Sequence, residues 1–489
     1  MSIPPERIRP RNDAPIRDGA YVLYWMVSAR RPRWNYALQR ACAEAARLRR
    51  PLVILEALRC DHPWASARFH RFILDGMVDN AAWFTARSGW TRPVTYHPYI
   101  EPSPGAGRGL LAALAADACL VVTDDPYGNF TSRMVAAAAA GLPVRVESID
   151  GNGVYPVLEA PRAFPTARGW RGHLHRNLAD YLLERPEADP LDGLDLPRRA
   201  LPEAVLRRWP AADAGAPIGA LPIDHSVGPV GEAGGFRAAS TRMERFLGAG
   251  LPAYGDRRND PTNPAASGLS PYLHFGHLSA HELLARVLDG EGWTPARVDA
   301  GKKGKREGWW GLSPAAEGFV EQLTTWRELG FNGCAFIEGW DRYDSLPDWA
   351  KKTLGEHAGD ERKVRYDRDT LAAARTHDPI WNAAQRQLAR EGRIHNYLRM
   401  LWGKKILEWT SSPREALDVL VDLNNTYALD GRDPNSYSGI FWVLGRYDRA
   451  WGPERPIFGK IRYMSSESTR RKLKLKGYLA RYGSESEHA

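Results

Sequence analysis

Residues 20–58 read AYVLYWMVSARRPRWNYALQRACAEAARLRRPLVILEAL, and this stretch decides the fold of the N-terminal part of the chain. Its ends, AYVLYWMVS (20–28) and PLVILEAL (51–58), are short, apolar and partly β-branched, as strands buried on both faces should be. Between them, NYALQRACAEAARLRR (35–50) carries alanine and leucine at helical spacing. A strand, a helix and a strand in succession predict parallel strands joined by a crossover helix.

The same alternation continues downstream. LLAALAADA leads into CLVVTDD (119–125), and RMVAAAAAGLP leads into VRVESI (144–149). We therefore predict an α/β domain over residues 1–184 with a Rossmann-like parallel sheet. Ligands of such sheets bind beyond the carboxyl ends of the strands.

The pattern changes after residue 184. Residues 185–235 are rich in Pro, Gly, Ala and Asp with little periodicity, which predicts a surface connector between two domains. From residue 236 helical periodicity dominates and strand-like runs almost vanish. We predict an all-α domain over residues 236–489.

Composition narrows the class of protein. The chain has 489 residues, a formal net charge of +9 and 18 tryptophans, and the charge favours a polyanionic partner. Its four cysteines form no CxxC pair and indicate free thiols in a reducing compartment. We find neither a membrane-length apolar run nor a secretory signal, so we expect a cytoplasmic protein with no membrane partner.

Many of the tryptophans lie in the helical half of the sequence. In RMLWGKKILEW (399–409) Trp402 and Trp409 stand seven residues apart, about two helical turns, and should share one face. Two readings stay open here: large core residues, or a relay of oxidisable indoles that needs a redox partner. Lys404 and Lys405 are expected to coat the solvated outer face of this helix.

Other motifs carry weaker signals. Three glycines in PGAGRGLLAAL (104–114) favour a plain loop-to-helix entry, and the histidines of HFGHLSAHE lack supporting ligands, so no metal is predicted. DAGKKGKREGWWGLSPA (299–315) resembles an exposed, mobile basic loop without an assigned role. The tail, residues 460–481, has eight Lys/Arg against one acid and is either solvated surface or a phosphate-contacting face.

Longer motifs make the chain recognisable. YGDRRNDPTNPAASGLSPYLHFGHLS (254–279), FVEQLTTWRELGFNGCAF (319–336) and THDPIWNAAQRQLAREGRIHNYLRMLWGKKILEW (376–409) resemble the photolyase/cryptochrome flavoproteins. LDGRDPNSYSGIFWVLGRYDRAWGPERPIFGKIRYMS (429–465) resembles one branch, the class II cyclobutane pyrimidine dimer photolyases. YWMVSARRPRWNYALQRACAEA (24–45) matches that branch more loosely.

The resemblance implies an antenna-type α/β domain followed by an all-helical FAD domain. It implies that photoexcited, fully reduced anionic FAD donates an electron to a cyclobutane pyrimidine dimer flipped out of double-stranded DNA. It also implies a monomer, and an antenna chromophore of deazaflavin or folate type whose identity the sequence does not define.

The resemblance also implies roles for individual residues. The positions that would hold FAD are Tyr254, Ser267, Gly268, Leu269, Ser270, Asn424, Asp430, Arg432 and Asn435. The positions that would face the lesion or DNA are Arg258, Asn259, Trp326, Met400, Trp442, Arg449 and Trp451.

Electron transfer and catalysis are assigned in the same way. The family pattern fits a chain from Trp402 near FAD through Trp381 to Trp409 toward solvent, with Asn424 beside the flavin ring. An acidic side chain is expected near the lesion carbonyls, for which Glu321 is available, while its neighbour, often acidic, is Gln322 here.

Three other functions remain as alternatives. A cryptochrome-like photoreceptor would use the same cofactor without repair, a (6-4) photoproduct enzyme would employ histidine at the lesion, and a plain nucleic-acid binder would lack flavin absorbance.

Overall fold

A computed structural model describes residues 3–85 and 94–484. The chain forms two compact units that interleave in sequence, which we call the sheet unit and the helical unit. The sheet unit comprises Met1–Pro161, Asn177–Glu244 and Gly268–Gly292. The helical unit comprises Arg162–Arg176, Arg245–Ser267 and Trp293–Ala489. The domain bounds given above stay a prediction.

The sheet unit is built on six strands. They are β1 (Ile8–Pro10), β2 (Tyr21–Met26), β3 (Leu52–Leu58), β4 (Val94–Ile100), β5 (Ala118–Asp124) and β6 (Val146–Ile149). Their order in the sheet is β1-β6-β5-β2-β3-β4, and every neighbouring pair is parallel except β1 with β6. The predicted α/β fold with a parallel-dominated sheet is confirmed.

Both faces of the sheet are covered, which explains the continuous apolar strands. Tyr21 and Leu23 of β2 belong to the apolar cluster on one face, while Val22 and Tyr24 belong to the cluster on the other. All four side chains are fully buried. Alternate residues of a strand point to opposite faces, so a strand enclosed on both sides has no solvent-facing position.

Two strands, β1 and β4, are absent from the prediction. β4 reads VTYHPYI, and Pro98 breaks the apolar pattern. It pairs with β3 alone, and proline is tolerated on an edge strand because one side of the strand needs no hydrogen bonds. β1 is three residues long and lies at the opposite edge, so its period-two pattern is too short to read.

The other regular elements of the described chain are helices. Those belonging wholly or mainly to the sheet unit are α1 (Tyr36–Leu48), α2 (Ala67–Thr85), α3 (Leu110–Ala116), α4 (Asn129–Ala140), α6 (Glu203–Arg208), α7 (Gly235–Arg245), α9 (Ser270–His274) and α10 (Ala280–Gly290). Those of the helical unit are α5 (Ala167–Asn177), α8 (Tyr254–Arg257), α11 (Pro314–Val320), α12 (Arg327–Phe336), α13 (Asp348–Glu356), α14 (Arg368–Ala372), α15 (Pro379–Glu391), α16 (Asn396–Trp409), α17 (Pro413–Tyr427), α18 (Pro434–Val443), α19 (Ser466–Lys472) and α20 (Lys476–Tyr482).

Two stretches of π-helix interrupt the α-helical pattern. One covers Phe246–Gly250 after α7, and the other covers Glu321–Trp326 between α11 and α12. A π segment widens the helix and changes which side chains face outward, and such segments are frequent at functional sites. The second lies within the motif FVEQLTTW, where the sequence analysis expects a lesion-facing carboxylate.

The basic tail folds onto the helical unit. α20 carries Tyr478 and Tyr482, whose hydroxyls donate to Gln387 and Glu391 of α15 at 2.8 and 2.6 Å. Both rings are buried, so this part of the tail is packed structure with cations on its outer side. No helix within 3–85 or 94–484 has the length and hydropathy needed to cross a membrane, and all four cysteines are free thiols.

Asp124 organises the point at which the strand order reverses, between β2 and β5. Its carboxylate accepts the backbone N–H groups of Val27, Ser28 and Ala29 at 2.6–2.9 Å and the hydroxyl of Tyr24 at 2.9 Å. In the Rossmann-type sheet this is the usual place for a ligand. Here the carboxylate fixes the turn that leaves β2.

We predict that Asp124→Asn lowers the free energy of unfolding by about 2 kcal/mol, because one amide oxygen cannot accept every donor that two carboxylate oxygens accept. Urea unfolding followed by circular dichroism measures the change. Asp18→Asn, at a side chain that is 91% exposed, is the control and should be near neutral. Equal stability of the two variants would contradict this role of Asp124.

Candidate functional site

Three buried indoles lie in contact in the helical unit. Trp381 stacks almost parallel to Trp402, with ring centroids 6.4 Å and planes 5° apart, and meets Trp409 at 5.5 Å. The indole N–H of Trp381 donates to the carbonyl of Trp402 at 3.0 Å. The indole N–H of Trp402 donates to Gln385 at 2.9 Å. Adjacent rings can pass an electron along this series, and the contacts follow the predicted order.

Local sequence sets the position of Trp381. In HDPIW, Asp378 caps the start of α15 by accepting the backbone N–H groups of Ile380 and Trp381 at 3.0 and 3.2 Å, and Pro379 occupies the first helical position. Proline suits that position because its missing N–H would have no intrahelical partner. The ring of Trp381 therefore projects from a fixed first turn.

The series reaches solvent through residues that the sequence analysis missed. Trp409 was expected toward solvent, but it is only 2% exposed. Tyr366 and His377 meet its ring at 5.3 and 5.4 Å, and they share a hydrogen bond of 2.7 Å. Tyr366 is half-buried and His377 exposed, so this pair forms the outer end. Nothing in their sequence spacing signals the contact.

The expectation for the two lysines of α16 is wrong. Lys404 is completely buried, and its ammonium donates to the carbonyl of Val443 at 2.6 Å, at the end of α18. Lys405 is buried between Glu408, at 2.9 Å, and the ring of Trp409. The pKa of Lys404 is lowered to about 7, chiefly by burial, while Asp448 opposes this shift and Arg462 adds to it. Neither side chain lies on a solvated face.

A ladder of cations and indoles begins at Lys404. Its ammonium lies 4.9 Å from the ring of Trp442, and Arg462 lies 5.6 Å from that ring and 5.0 Å from the ring of Trp451. Arg449 completes the series 4.6 Å from Trp451. Such cation–π contacts hold aromatic faces in place. Arg462 is a further residue that the sequence analysis missed, although it stands in a recognised motif.

The amides and charges near the start of α18 form a second buried group. Asn424 is buried and donates to Asn425 and to Ser436 at 3.1 and 3.0 Å. Arg432 adopts a positive φ of 68° and donates its backbone N–H to Asn425 at 2.9 Å. Burial lowers the pKa of Arg432 to about 9, so it remains a cation at neutral pH.

Asp430 lies beside this group and is paired with Arg399 at 3.1 Å. The Nε atom of Arg399 is buried without a hydrogen-bond acceptor among the described residues. A buried donor without an acceptor is energetically costly. Asn435 is exposed, and its backbone N–H donates to the capping Asp433 at 2.8 Å.

The remaining cofactor positions divide between the two units. In the sheet unit, Gly268 has φ +66°, and a Cβ there would lie 2.2 Å from the guanidinium of Arg242. Leu269 is buried and Ser270 exposed. In the helical unit, Ser267 is half-buried, and Tyr254 is buried against Phe319 at 5.5 Å.

The chemistry of these residues, each taken within its own unit, suits parts of an FAD. Gly268 has no side chain to cover its backbone, and the guanidinium of Arg242 lies beside it. This combination suits a pyrophosphate, because phosphate is bound by amide N–H groups and by arginine. The buried amide of Asn424 and the buried cation Arg432 suit the polar edge of a flavin ring. No group of three or more His, Cys, Asp or Glu side chains within residues 3–85 and 94–484 could hold a metal ion.

Glu321 is engaged inside the protein. The guanidinium of Arg171 donates to both of its carboxylate oxygens, one by Nε at 3.0 Å, and the hydroxyl of Thr325 donates to it at 2.7 Å. The pair fastens α5 to the π-helical segment. Gln322 beside it is half-buried. The lesion-facing role of Glu321 stays a prediction.

The other positions predicted to face the lesion lie on separate elements of the helical unit. Arg258 rests its guanidinium 5.6 Å from the ring of Tyr254, and Asn259 is exposed. Trp326 ends the π-helical segment and is half-buried, as is Met400 on α16.

Comparison with known proteins gives whole-length relatives. The chain is 34% identical over 479 residues to the deoxyribodipyrimidine photo-lyase of Methanothermobacter thermautotrophicus, covering 97% of this chain and 98% of that one. It is 34% identical over 486 residues to the enzyme of the same name from Oryza sativa subsp. japonica, covering 97% and 90%. No protein-family model matches the chain.

A solved structure shares the fold. The class III photolyase from Agrobacterium tumefaciens superimposes with a TM-score of 0.65 over 95% of this chain and 86% of that one. Its sequence identity is 17%, so this likeness concerns the fold alone.

We predict that Lys404→Met changes how stability depends on pH. An unfolded lysine binds its proton up to a pKa near 10.5, whereas the buried group has a pKa of about 7. The unfolded state therefore binds more protons between these values, and wild-type stability falls as the pH falls from about 10 to about 7. Methionine lacks this loss, so Tm of the variant minus Tm of wild type should be larger at pH 7 than at pH 10.

Differential scanning fluorimetry across this pH range measures the difference. Lys352→Met, at a side chain that is 77% exposed, is the control and should show a constant difference. A constant difference for Lys404→Met as well would show that burial does not displace the proton.

Proposed function

The chain belongs to the deoxyribodipyrimidine photo-lyase family, within the photolyases and cryptochromes, and from this premise we propose that it repairs cyclobutane pyrimidine dimers in DNA by light-driven electron transfer from FAD. We further propose that it belongs to the class II branch. Curated relatives that match nearly the full length support the reaction class. The motif of residues 429–465 supports the branch.

One observation carries the proposal: helix α16 joins an indole series to a surface suited to nucleobases. Trp402 and Trp409 of α16 contact Trp381, and Lys404 of the same helix contacts Trp442 in the cation–π ladder. Redox chemistry and base stacking therefore share one rigid element. A structural core alone needs no such connection.

The residues proposed to hold FAD have suitable chemistry. Gly268 and Arg242 suit its pyrophosphate, and Asn424, Arg432 and Asp430 suit its ring. When bound in the fully reduced anionic form, FAD supplies an electron on excitation by light. The buried cation Arg432 favours an anion in its neighbourhood because the low dielectric strengthens their attraction.

The chain's own groups prepare the dinucleotide. Trp442 and Trp451 offer aromatic faces to unstacked bases, and stacking on such faces is worth about 1–3 kcal/mol per base. Arg449 and Arg258 suit phosphate or the space left in the duplex. Flipping costs least where pairing is already weakened, which favours a dimer over intact DNA.

The proposal also covers the oligomeric state, the location and the antenna chromophore of the protein. We propose that the protein acts as a monomer on double-stranded DNA inside the cell, in the cytoplasm. We also propose an antenna chromophore of deazaflavin or folate type in the N-terminal domain. Mass analysis of chromophores released from the purified protein identifies it.

A repair assay tests the proposal. The purified protein should show flavin absorption bands, and under reducing conditions blue light should lower the dimer content of irradiated DNA, measured by a dimer-specific endonuclease. The same sample kept in the dark is the control. Flavin absorbance with unchanged dimers would favour the photoreceptor, and absence of flavin after incubation with FAD would reject both.

We predict that Trp402→Phe slows photoreduction of oxidised FAD at least tenfold, because phenylalanine is much harder to oxidise than indole. Repair by chemically reduced enzyme should remain near wild type. Transient absorption and the dimer assay measure the two quantities. Trp209→Phe, at a buried indole of the sheet unit, is the matched control and should change neither. Equal loss of both activities in Trp402→Phe would make Trp402 a structural residue.

A further inference from the structure

A basic groove lies on the helical unit, and the function proposed above does not use it. It has a volume of about 760 Å³ and is formed by the segment around α5 and by the loop of residues 299–310. Its cations are Arg162, Arg168, Arg176, Lys303 and Lys305. All five side chains belong to exposed residues, and no carboxylate lines the groove in the described part of the chain.

The loop of residues 299–310 is anchored at its base. Trp309 and Trp310 are buried, and the indole N–H of Trp293 donates to the carbonyl of Trp310 at 2.7 Å. The carboxylate of Glu317 accepts the backbone N–H groups of Gly308 and Trp310 at 2.7 and 3.1 Å. The lysines are exposed as expected from the sequence, and these contacts hold the loop that carries them.

The tip of the loop rests on α5. The backbone N–H of Gly304 donates to Nδ1 of His175 at 3.0 Å, and the imidazole of His175 stacks on Trp309 at 3.9 Å. Gly304 has φ +74°, and a Cβ there would lie 3.7 Å from Cα of Gly172. The positive φ at Gly304 favours glycine, and the loop backbone packs against α5 at this point. Lys303 and Lys305 are thereby brought to the face of α5 that carries arginine.

That face of α5 follows helical spacing. Arg168, Gly172 and Arg176 stand four residues apart and therefore project from one side of the helix. Trp170 lies on the opposite side and is buried, and Arg171 beside it is buried in its ion pair with Glu321. The helix thus separates one neutralised arginine inside from two arginines outside.

The five groove cations have no counter-charge in the described chain. None of them makes an ion pair there, whereas Arg171 and Arg399 of the same unit do. Like charges held close together repel, and a bound polyanion removes that repulsion. The backbone bared at Gly169, Gly172 and Gly304 leaves room for a bulky phosphodiester.

The groove adjoins the surface assigned to the lesion. Thr166 at its wall forms a β-bridge with Tyr447, two residues before Arg449. The side chain of Asn332 on α12 accepts the N–H of Phe164 at 2.9 Å and donates to the carbonyl of Arg162 at 2.9 Å, and α12 directly follows Trp326. The elements that carry Trp326, Arg449 and Trp451 therefore also fix the position of the groove.

We propose that this basic groove binds the sugar-phosphate backbone of DNA beside the site where the dimer is held, through Arg168, Arg176, Lys303 and Lys305. The proposal rests on the DNA-repair function proposed above. Contacts to phosphate carry no sequence information and fix the register of the protein on the duplex. The groove would thus lengthen the DNA footprint beyond the stacking residues.

The salt dependence of binding tests the proposal. Holoenzyme carrying Lys303→Gln with Lys305→Gln, or Arg168→Gln with Arg176→Gln, is titrated with an undamaged duplex and with the same duplex containing one thymine dimer. Loss of each phosphate contact should reduce the slope of log K against log[salt] by about 1 and weaken binding roughly tenfold near 0.1 M salt. Both duplexes should be affected alike.

Two controls isolate the groove from net charge and from folding. Arg108→Gln with Arg133→Gln removes the same charge from exposed positions of the sheet unit and should keep the wild-type slope. Lys303→Arg with Lys305→Arg keeps the charge and should keep the slope as well. A wild-type slope in both glutamine pairs would overturn the proposal. Loss of inorganic-phosphate binding with an unchanged DNA slope would also overturn it, in favour of a small phosphorylated ligand.

The two proposals fail in different ways. Undamaged DNA reports on the groove without light or a dimer, so its slope can change even in a protein that does not repair. If the wild type repairs dimers and the groove variants bind like the controls, the groove proposal fails and the repair function stands.

Discussion

Enclosure of α16 is the constraint on which the helical unit depends. Nine of its fourteen residues are buried, and its apolar residues belong to the core of the helical unit. Trp402 and Trp409 consequently meet Trp381 in the buried core. Lys404 is carried into the same interior and must find a partner there, which is the carbonyl of Val443. One buried helix thus fixes the indole series and the ladder together.

The burial of Lys404 could not be predicted from the sequence. The seven-residue spacing of Trp402 and Trp409 was enough to place both indoles on one side of a helix, because helical geometry is local. The burial of Lys404 depends on Val443, 39 residues further along the chain, and no local pattern encodes it. The strands β2, β3, β5 and β6 were readable for the same reason as the indoles, whereas the edge strands β1 and β4 carry too little of the pattern.

The candidate site shows the same contrast between what local sequence predicts and what depends on long-range contacts. Long motifs identified residues around Asn424 and Trp442 through resemblance, without geometry. Arg399, Arg462 and the pair of Tyr366 and His377 emerged only from contacts between distant segments. The ion pair of Arg171 with Glu321 is of this kind as well: it joins positions 150 residues apart and draws α5 into the helical unit. A buried pair of this kind costs solvation energy, so its value lies in fixing position as much as in stability.

The positions of the cations show which of them contribute to the effect of the net charge of +9 on a partner. Lys404 and Arg432 are buried, their pKa values are lowered by burial, and they act on neighbours within the core. Arg171 and Arg399 are neutralised by carboxylates. The cations of the basic groove are exposed and without a counter-charge in the described chain, so they contribute to the field that a polyanion meets. In the proposed function, the residues that attract DNA electrostatically take no part in the core. Affinity for the DNA backbone can therefore vary without disturbing the buried indoles.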